Sequence, residues 1–233
     1  MWLRPRLPDE HIRAESRDTM KLGIGLIATM TALVLGLVTA SAKTSFDIVD
    51  TAVRRTAMDL LTLDRILARY GPETHQIRAG FKELVGDRIE RVWPSGARRR
   101  AELDPSASFT TGTEVLADRI RGLAPRDESQ QLLRARAVEL VEGLLKDRWM
   151  VAGAGATSVP VPFLAILLFW LTITFAAFGL LAPRNTTVLA VLLLCAVSVS
   201  SAIFLVLEMD GPFDGTLKVS PGPLHYAHAR LNQ

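Results

Sequence analysis

The sequence predicts an all-α integral membrane protein with three transmembrane helices and a helical soluble insert between the first and the second. Three observations carry the prediction. Three uncharged apolar runs, Leu22–Ala42, Val159–Leu181 and Thr187–Leu207, are each long enough, at about 1.5 Å per residue, to cross a hydrocarbon core of about 30 Å. The 233 residues are 49% hydrophobic with a mean hydropathy of +0.25, yet outside those runs the chain is heavily charged. Between the first two runs, apolar residues recur every three or four positions, the period of a helix with one buried face.

Residues 1–20 form a polar N-terminal segment that opens with prolines and mixed charge, and the first helix is expected to start near Ser16 or Asp18, either of which can cap it. The first transmembrane helix is assigned to residues 21–43, between Lys21 and Lys43. Its Ala40-Ser41-Ala42 ending resembles a signal-peptide cleavage site. The uncharged run is longer than a signal core of about 7–15 residues, however, and the leader holds Asp9, Glu10, Glu15 and Asp18, so a retained span is expected. Ala28, Ala32, Gly36 and Ala40 recur every fourth position and share one face, which suits close helix packing in a membrane.

The helical soluble insert spans residues 44–157. The period continues through Phe46, Val49, Val53, Ala57, Leu60, Leu63, Leu67 and Tyr70, so the first helix is expected to leave the membrane and run to the Tyr70-Gly71-Pro72 break. A second insert helix is expected from Pro72 to Val92 with Ile77, Phe81, Leu84, Val85, Ile89 and Val92 inward, ended by Trp93-Pro94-Ser95-Gly96. A short helix is expected over Thr113–Leu123 and a longer one from Asp127 or Ser129 to about Met150, before Gly153-Ala154-Gly155 loosens the chain. Arg98-Arg99-Arg100 suits contact with anionic lipid or phosphate, but a solvated loop is the favoured reading because Glu102 and Asp104 follow at once. Four amphipathic helices with apolar stripes need partners, and an antiparallel bundle supplies them.

Residues 158–182 are assigned to the second transmembrane helix and 186–207 to the third, joined by a tight Ala182-Pro183-Arg184-Asn185 hairpin, with residues 208–233 as a C-terminal tail. Cys195, Ser198, Ser200 and Ser201 cluster mid-span, and helix packing with the hydroxyls bonded to their own backbone is expected, lining a pore being the alternative. Basic residues flanking the spans do not orient the chain. Arg4, Arg6, Arg13, Arg17, Lys21 and Arg184 on one side balance Lys43, Arg54, Arg55, Lys146, Arg148 and Lys218 on the other.

Several function classes are excluded or disfavoured. The lone Cys195 rules out an intrachain disulfide or a cysteine metal site. His225 and His228 are too few ligands for a metal centre. The net charge of +3 and pI near 9.3 come from interleaved acids and bases, which gives no nucleic-acid footprint. With no phosphate loop, Ser/His/Asp setting, HExxH or paired carboxylates in a recognisable context, no enzyme is expected.

Three stretches taken together, DEHIRAESRDTMKLGIGLIATMTALVLGLVTASAK, VPFLAILLFWLTITFAAFGLLAPRNTTV and LEMDGPFDGTLKVSPGPL, resemble the bacterial bestrophin-like domain family. This is a membrane family of largely uncharacterised function, distantly similar to bestrophins, which are pentameric anion channels. The resemblance implies an oligomeric ion channel in the bacterial cell membrane, a homo-oligomer partnered by the lipid bilayer, with the insert and tail in the cytosol. The alternative reading is a non-conducting scaffold or sensor acting through the insert. Glu208, Asp210 and Asp214, around Pro212-Phe213, are similar to the acidic Pro-Phe turn that follows the last bestrophin span and is associated with calcium in animal members. No other cofactor is implied, and three carboxylates fall short of the six to eight oxygens calcium takes, unless carbonyls and waters complete the shell. Without calcium the turn ends the membrane helix and docks the tail. Family members begin with one more apolar span than this sequence holds, so either the start is shortened or three spans suffice.

Overall fold

The computed structural model describes residues 14–94, 107–156, 161–182, 185–213 and 215–233, and these residues are all-α, without a strand. The helices are α1 (Ala14–Tyr70), α2 (His75–Val92), α3 (Ala107–Arg121), α4 (Glu128–Ala156), α5 (Val161–Leu181), α6 (Thr186–Asp210) and α7 (Gly222–Arg230), with a 3-10 turn at Pro72–Thr74. The chain divides into two compact units, one of Met1–Ser45 and Thr157–Gly211, the other of Phe46–Ala156 and Pro212–Gln233.

The first unit holds the three helices long and apolar enough to cross a membrane, found at Asp18–Tyr70 (through its N-terminal part), Pro162–Leu180 and Thr186–Asp210. Their large apolar side chains point outward. Leu22, Leu26, Leu33 and Leu37 of α1, Phe169 of α5, and Leu189, Leu193 and Leu194 of α6 are all more than 60% exposed. Buried positions are few: Ile24, Thr31 and Ala42 on α1, Leu167 and Thr174 on α5, Val206 and Met209 on α6. Hydroxyls inside the runs donate to the carbonyl one turn back, as from Thr31 to Ile27 (2.7 Å), Thr174 to Trp170 (2.9 Å), Ser198 to Leu194 (2.9 Å) and Ser201 to Val197 (2.8 Å). The polar groups of Thr and Ser are thereby satisfied without water, as a lipid environment requires. Asn185 caps α6 by accepting from the Thr187 amide (3.1 Å).

The second unit is built the opposite way round. Val49, Val53, Ala57, Leu60, Leu63 and Leu67 of α1 meet Ile77, Phe81, Val85 and Ile89 of α2, Leu116, Ala117 and Ile120 of α3, and Ala137, Val141 and Leu144 of α4 in one core. The helix-period stripes expected along this stretch are the ones that pack. Gly71 (φ 143°) breaks α1, and the Thr74 hydroxyl closes its end by donating to the Leu67 and Gly71 carbonyls at 2.6 and 2.8 Å. Asp127 starts α4 by accepting from the Gln130 amide (2.7 Å), and Gln130 in turn donates to the Tyr70 carbonyl (2.8 Å). Two helices approach closely at glycines, since a Cβ at Gly112 would lie 2.6 Å from Leu84 and one at Gly80 would lie 3.0 Å from Leu116.

Several boundaries differ from expectation: α6 runs on to Asp210, past the expected end at Leu207, and α2 opens at His75 after a 3-10 turn rather than at Pro72. Helix α1 is already formed at Ala14, so Asp18 lies inside it and pairs along the helix with Lys21 (2.8 Å) rather than capping it. Helix α3 starts at Ala107 rather than Thr113: packing of its later turns on α2 and α4 carries the weak formers Thr110, Thr111 and Gly112 into the helix. Helix α4 runs through Gly153-Ala154-Gly155 to Ala156: each glycine costs about 1 kcal/mol relative to alanine, which weakens a helix without breaking it as proline would. Residues 222–230, read as tail, form α7, whose Leu224 and Ala227 join the core of the second unit. The Arg98–Arg100 loop and Arg184 lie outside the described residues.

Candidate functional site

Three features stand out from the residues upward. The first is the row of small residues on α1. Ala32, Gly36 and Ala40 are exposed, Ala28 is half-buried, and a Cβ at Gly36 would meet nothing within 4 Å. The inward face of the same helix, marked by Ile24, Thr31 and Ala42, lies about a quarter to a third of a turn away at 100° per residue. In the single chain the row is therefore a surface.

The second feature is the turn after α6. Glu208 and Asp210 sit half-buried on its last turn and Asp214 lies outside the described residues, so the structure brings two of the three expected carboxylates to this end of the helix. Among the described residues no group of three His, Cys, Asp or Glu side chains is placed to hold a metal ion. The described carboxylates cannot by themselves make up a calcium shell. Past the turn, Phe213 stacks edge-on against Trp93 at the end of α2 (5.4 Å, 80°), the Trp93 indole donates to the Val219 carbonyl (2.9 Å), and the Val219 amide donates to the Pro212 carbonyl (2.8 Å). The start of the tail is thus tied to the end of α2 by a ring contact and hydrogen bonds.

The third feature has no counterpart in the sequence reading. Asp64, only 4% exposed, accepts two hydrogen bonds from the Arg78 guanidinium, Nε to Oδ1 at 2.7 Å and Nη2 to Oδ2 at 2.9 Å. The Asn232 amide donates to the same Oδ1 (3.2 Å), and Arg78 Nη2 also reaches the main-chain oxygen of Gln233 (3.2 Å). Hydrogen bonding to Asp64 raises Arg78 above the ordinary arginine value. A raised value leaves its stabilisation complete at any pH below the ordinary range and lost only above it, so titration of Arg78 does not switch this pair near neutrality. The signal for a buried acid, though not for its partner, was present. Asp64 falls four residues after Leu60 and one after Leu63, on the buried stripe, where a carboxylate needs a charged partner.

Together the outward-facing apolar helices and the inward-packed helical insert define an all-α membrane protein whose described spans contain no Asp, Glu, Lys, Arg or His between Leu22 and Ala42, Val161 and Leu181, or Thr186 and Leu207. The chain belongs to the Bestrophin-like domain family, whose family model matches residues 1–224. Solved structures share the fold. A bacterial Bestrophin homologue from Klebsiella pneumoniae is 15% identical with a TM-score of 0.70, the match covering 90% of this chain and 85% of that one. A second crystal structure of a Klebsiella pneumoniae Bestrophin homologue, also 15% identical, has a TM-score of 0.69 and covers 91% and 88%. A third, solved by zinc phasing, is 16% identical with a TM-score of 0.68 and covers 90% and 85%. No match is found among curated protein sequences.

Proposed function

We propose that this chain is one subunit of a homo-oligomeric ion channel of the bacterial cell membrane, without enzymatic activity, and that its insert and tail lie in the cytosol. The observation that carries the reading is membership of the Bestrophin-like family, and the surface of the first unit supports it. Ala32, Gly36 and Ala40 form an exposed small-residue row of the kind at which membrane helices approach closely, and a second copy is its natural partner. Because the spans hold no charged side chain, conduction would pass apolar and hydroxyl-bearing surface and be gated by wetting of a hydrophobic constriction. Calcium would act at the turn after α6 only if main-chain oxygens and waters join Glu208, Asp210 and Asp214.

Purified protein in liposomes, with its oligomeric state fixed by cross-linking, tests the reading by chloride and potassium flux. Ion flux that scales with reconstituted oligomer is expected. A verified oligomer that passes neither ion contradicts the channel and favours a non-conducting scaffold acting through the charged outer face of the insert.

A further inference from the structure

The contacts of residues 222–233 have a division of labour that points beyond a folded end. Leu224, Ala227 and Leu231 present one apolar face at i, i+3 and i+7 and are buried against α2 and the α1–α2 corner. Leu231, 1% exposed, closes one side of a small depression whose other walls include Leu60, Leu63, Leu67 and Phe81. Four polar contacts join the corner to the main chain of this segment. Lys82 donates to the Leu231 carbonyl (3.0 Å), Arg78 and Arg65 to the Gln233 main-chain oxygen (3.2 and 3.5 Å), and Asp64 accepts from the Asn232 amide (3.2 Å). Asn232 takes the left-handed conformation (φ 66°) that turns these groups toward the corner.

We propose that the α1–α2 corner is a peptide-binding socket for a short amphipathic helix ending in leucine, and that residues 222–233 occupy it as a clip that can leave while the rest of the second unit stays folded. The nine residues of α7 are too few for a helix stable by itself, so the clip is ordered by docking. The segment between α6 and α7 carries no helix or strand among its described residues, and its anchorage to Trp93 through Phe213 and Val219 precedes the clip, so the clip can open without breaking it. The stripes of α1, α2, α3 and α4 pack on one another and leave a core when the clip is gone. Specificity resides in three apolar side chains and their spacing, because these four polar contacts read backbone. The inference does not depend on whether the membrane helices conduct.

Amide hydrogen exchange on the full-length protein in lipid, followed by mass spectrometry, tests it. In the unmodified protein, residues 222–233 should exchange faster than α2 amides 81–89, through a separate opening. Leu231→Ala should speed clip exchange about thirtyfold or more, and Lys82→Met about fivefold, with α2 and α4 within about twofold of unmodified protein. A synthetic peptide of residues 219–233 in excess should displace the clip and raise its exchange, whereas a peptide with alanine at the three apolar positions should not. Clip and α2 amides exchanging at one common rate, or accelerating together in Leu231→Ala, would overturn the proposal. So would the absence of any peptide effect.

Discussion

The two units use similar apolar residues in opposite ways. In the second unit, leucines such as Leu63 and Leu67 are 1% exposed and close on a shared core, while in the first, Leu193 and Leu194 of α6 are 66% and 67% exposed and no residue of the α6 apolar window is buried. The hydrophobic effect in water accounts for the first pattern and would forbid the second. A hydrocarbon solvent makes the second pattern neutral, and internal bonding of Thr and Ser hydroxyls completes the match. A single helix, α1, contributes to both units, and its stripe changes character between Ala42 and Phe46.

Substitutions at matched sites sharpen or break this contrast, read as unfolding free energies in a mild detergent. The largest effect is expected at the buried pair. Arg78→Met should cost about 3–5 kcal/mol because it strands the Asp64 carboxylate, and adding Asp64→Asn should return part of the loss. A double variant no better than the single one would show that the cost is packing rather than charge. Leu67→Ala should cost about 2–5 kcal/mol as a buried leucine leaving a cavity. Asn185→Ala should cost about 1 kcal/mol through loss of the α6 cap. Leu194→Ala should stay within about 0.5 kcal/mol, since its side chain touches solvent lipid or detergent. A cost at Leu194 comparable to that at Leu67 would break the contrast and identify the outer face of α6 as protein-covered.

Much of the second unit was legible because its stripes are long and regular: Val49 to Leu67 and Ile77 to Ile89 need only the helical period to be recognised. The spans were legible for the same reason of length. Short-range cues misled where tertiary packing overrode them, as at Thr110-Thr111-Gly112, drawn into α3 by its contacts on α2, and at Gly153 and Gly155, which weaken a helix without breaking it. Helix α7 is short and carries Pro221 and Pro223, residues that break a helix interior but stand here at its start, where a missing amide costs little. The Asp64–Arg78 pair was hidden by the Gly71-Pro72 break, since the two residues meet only once α1 and α2 fold back on one another. Of the residues proposed from sequence as functional, Ala32, Gly36 and Ala40 lie on an exposed face. A packing role for them would need a partner surface, which a single sequence cannot display.

The contrast between the two units is tested most directly by thiol labelling, because Cys195 lies mid-span in α6 and is the protein's single cysteine. A charged, membrane-impermeant maleimide added to permeabilised membranes should leave Cys195 unmodified until the bilayer is dissolved. The same reagent should rapidly label a Cys195→Ser/Glu139→Cys variant, whose thiol replaces an exposed carboxylate of α4. Equal labelling of the two proteins in intact bilayers would contradict the assignment of α6 to lipid.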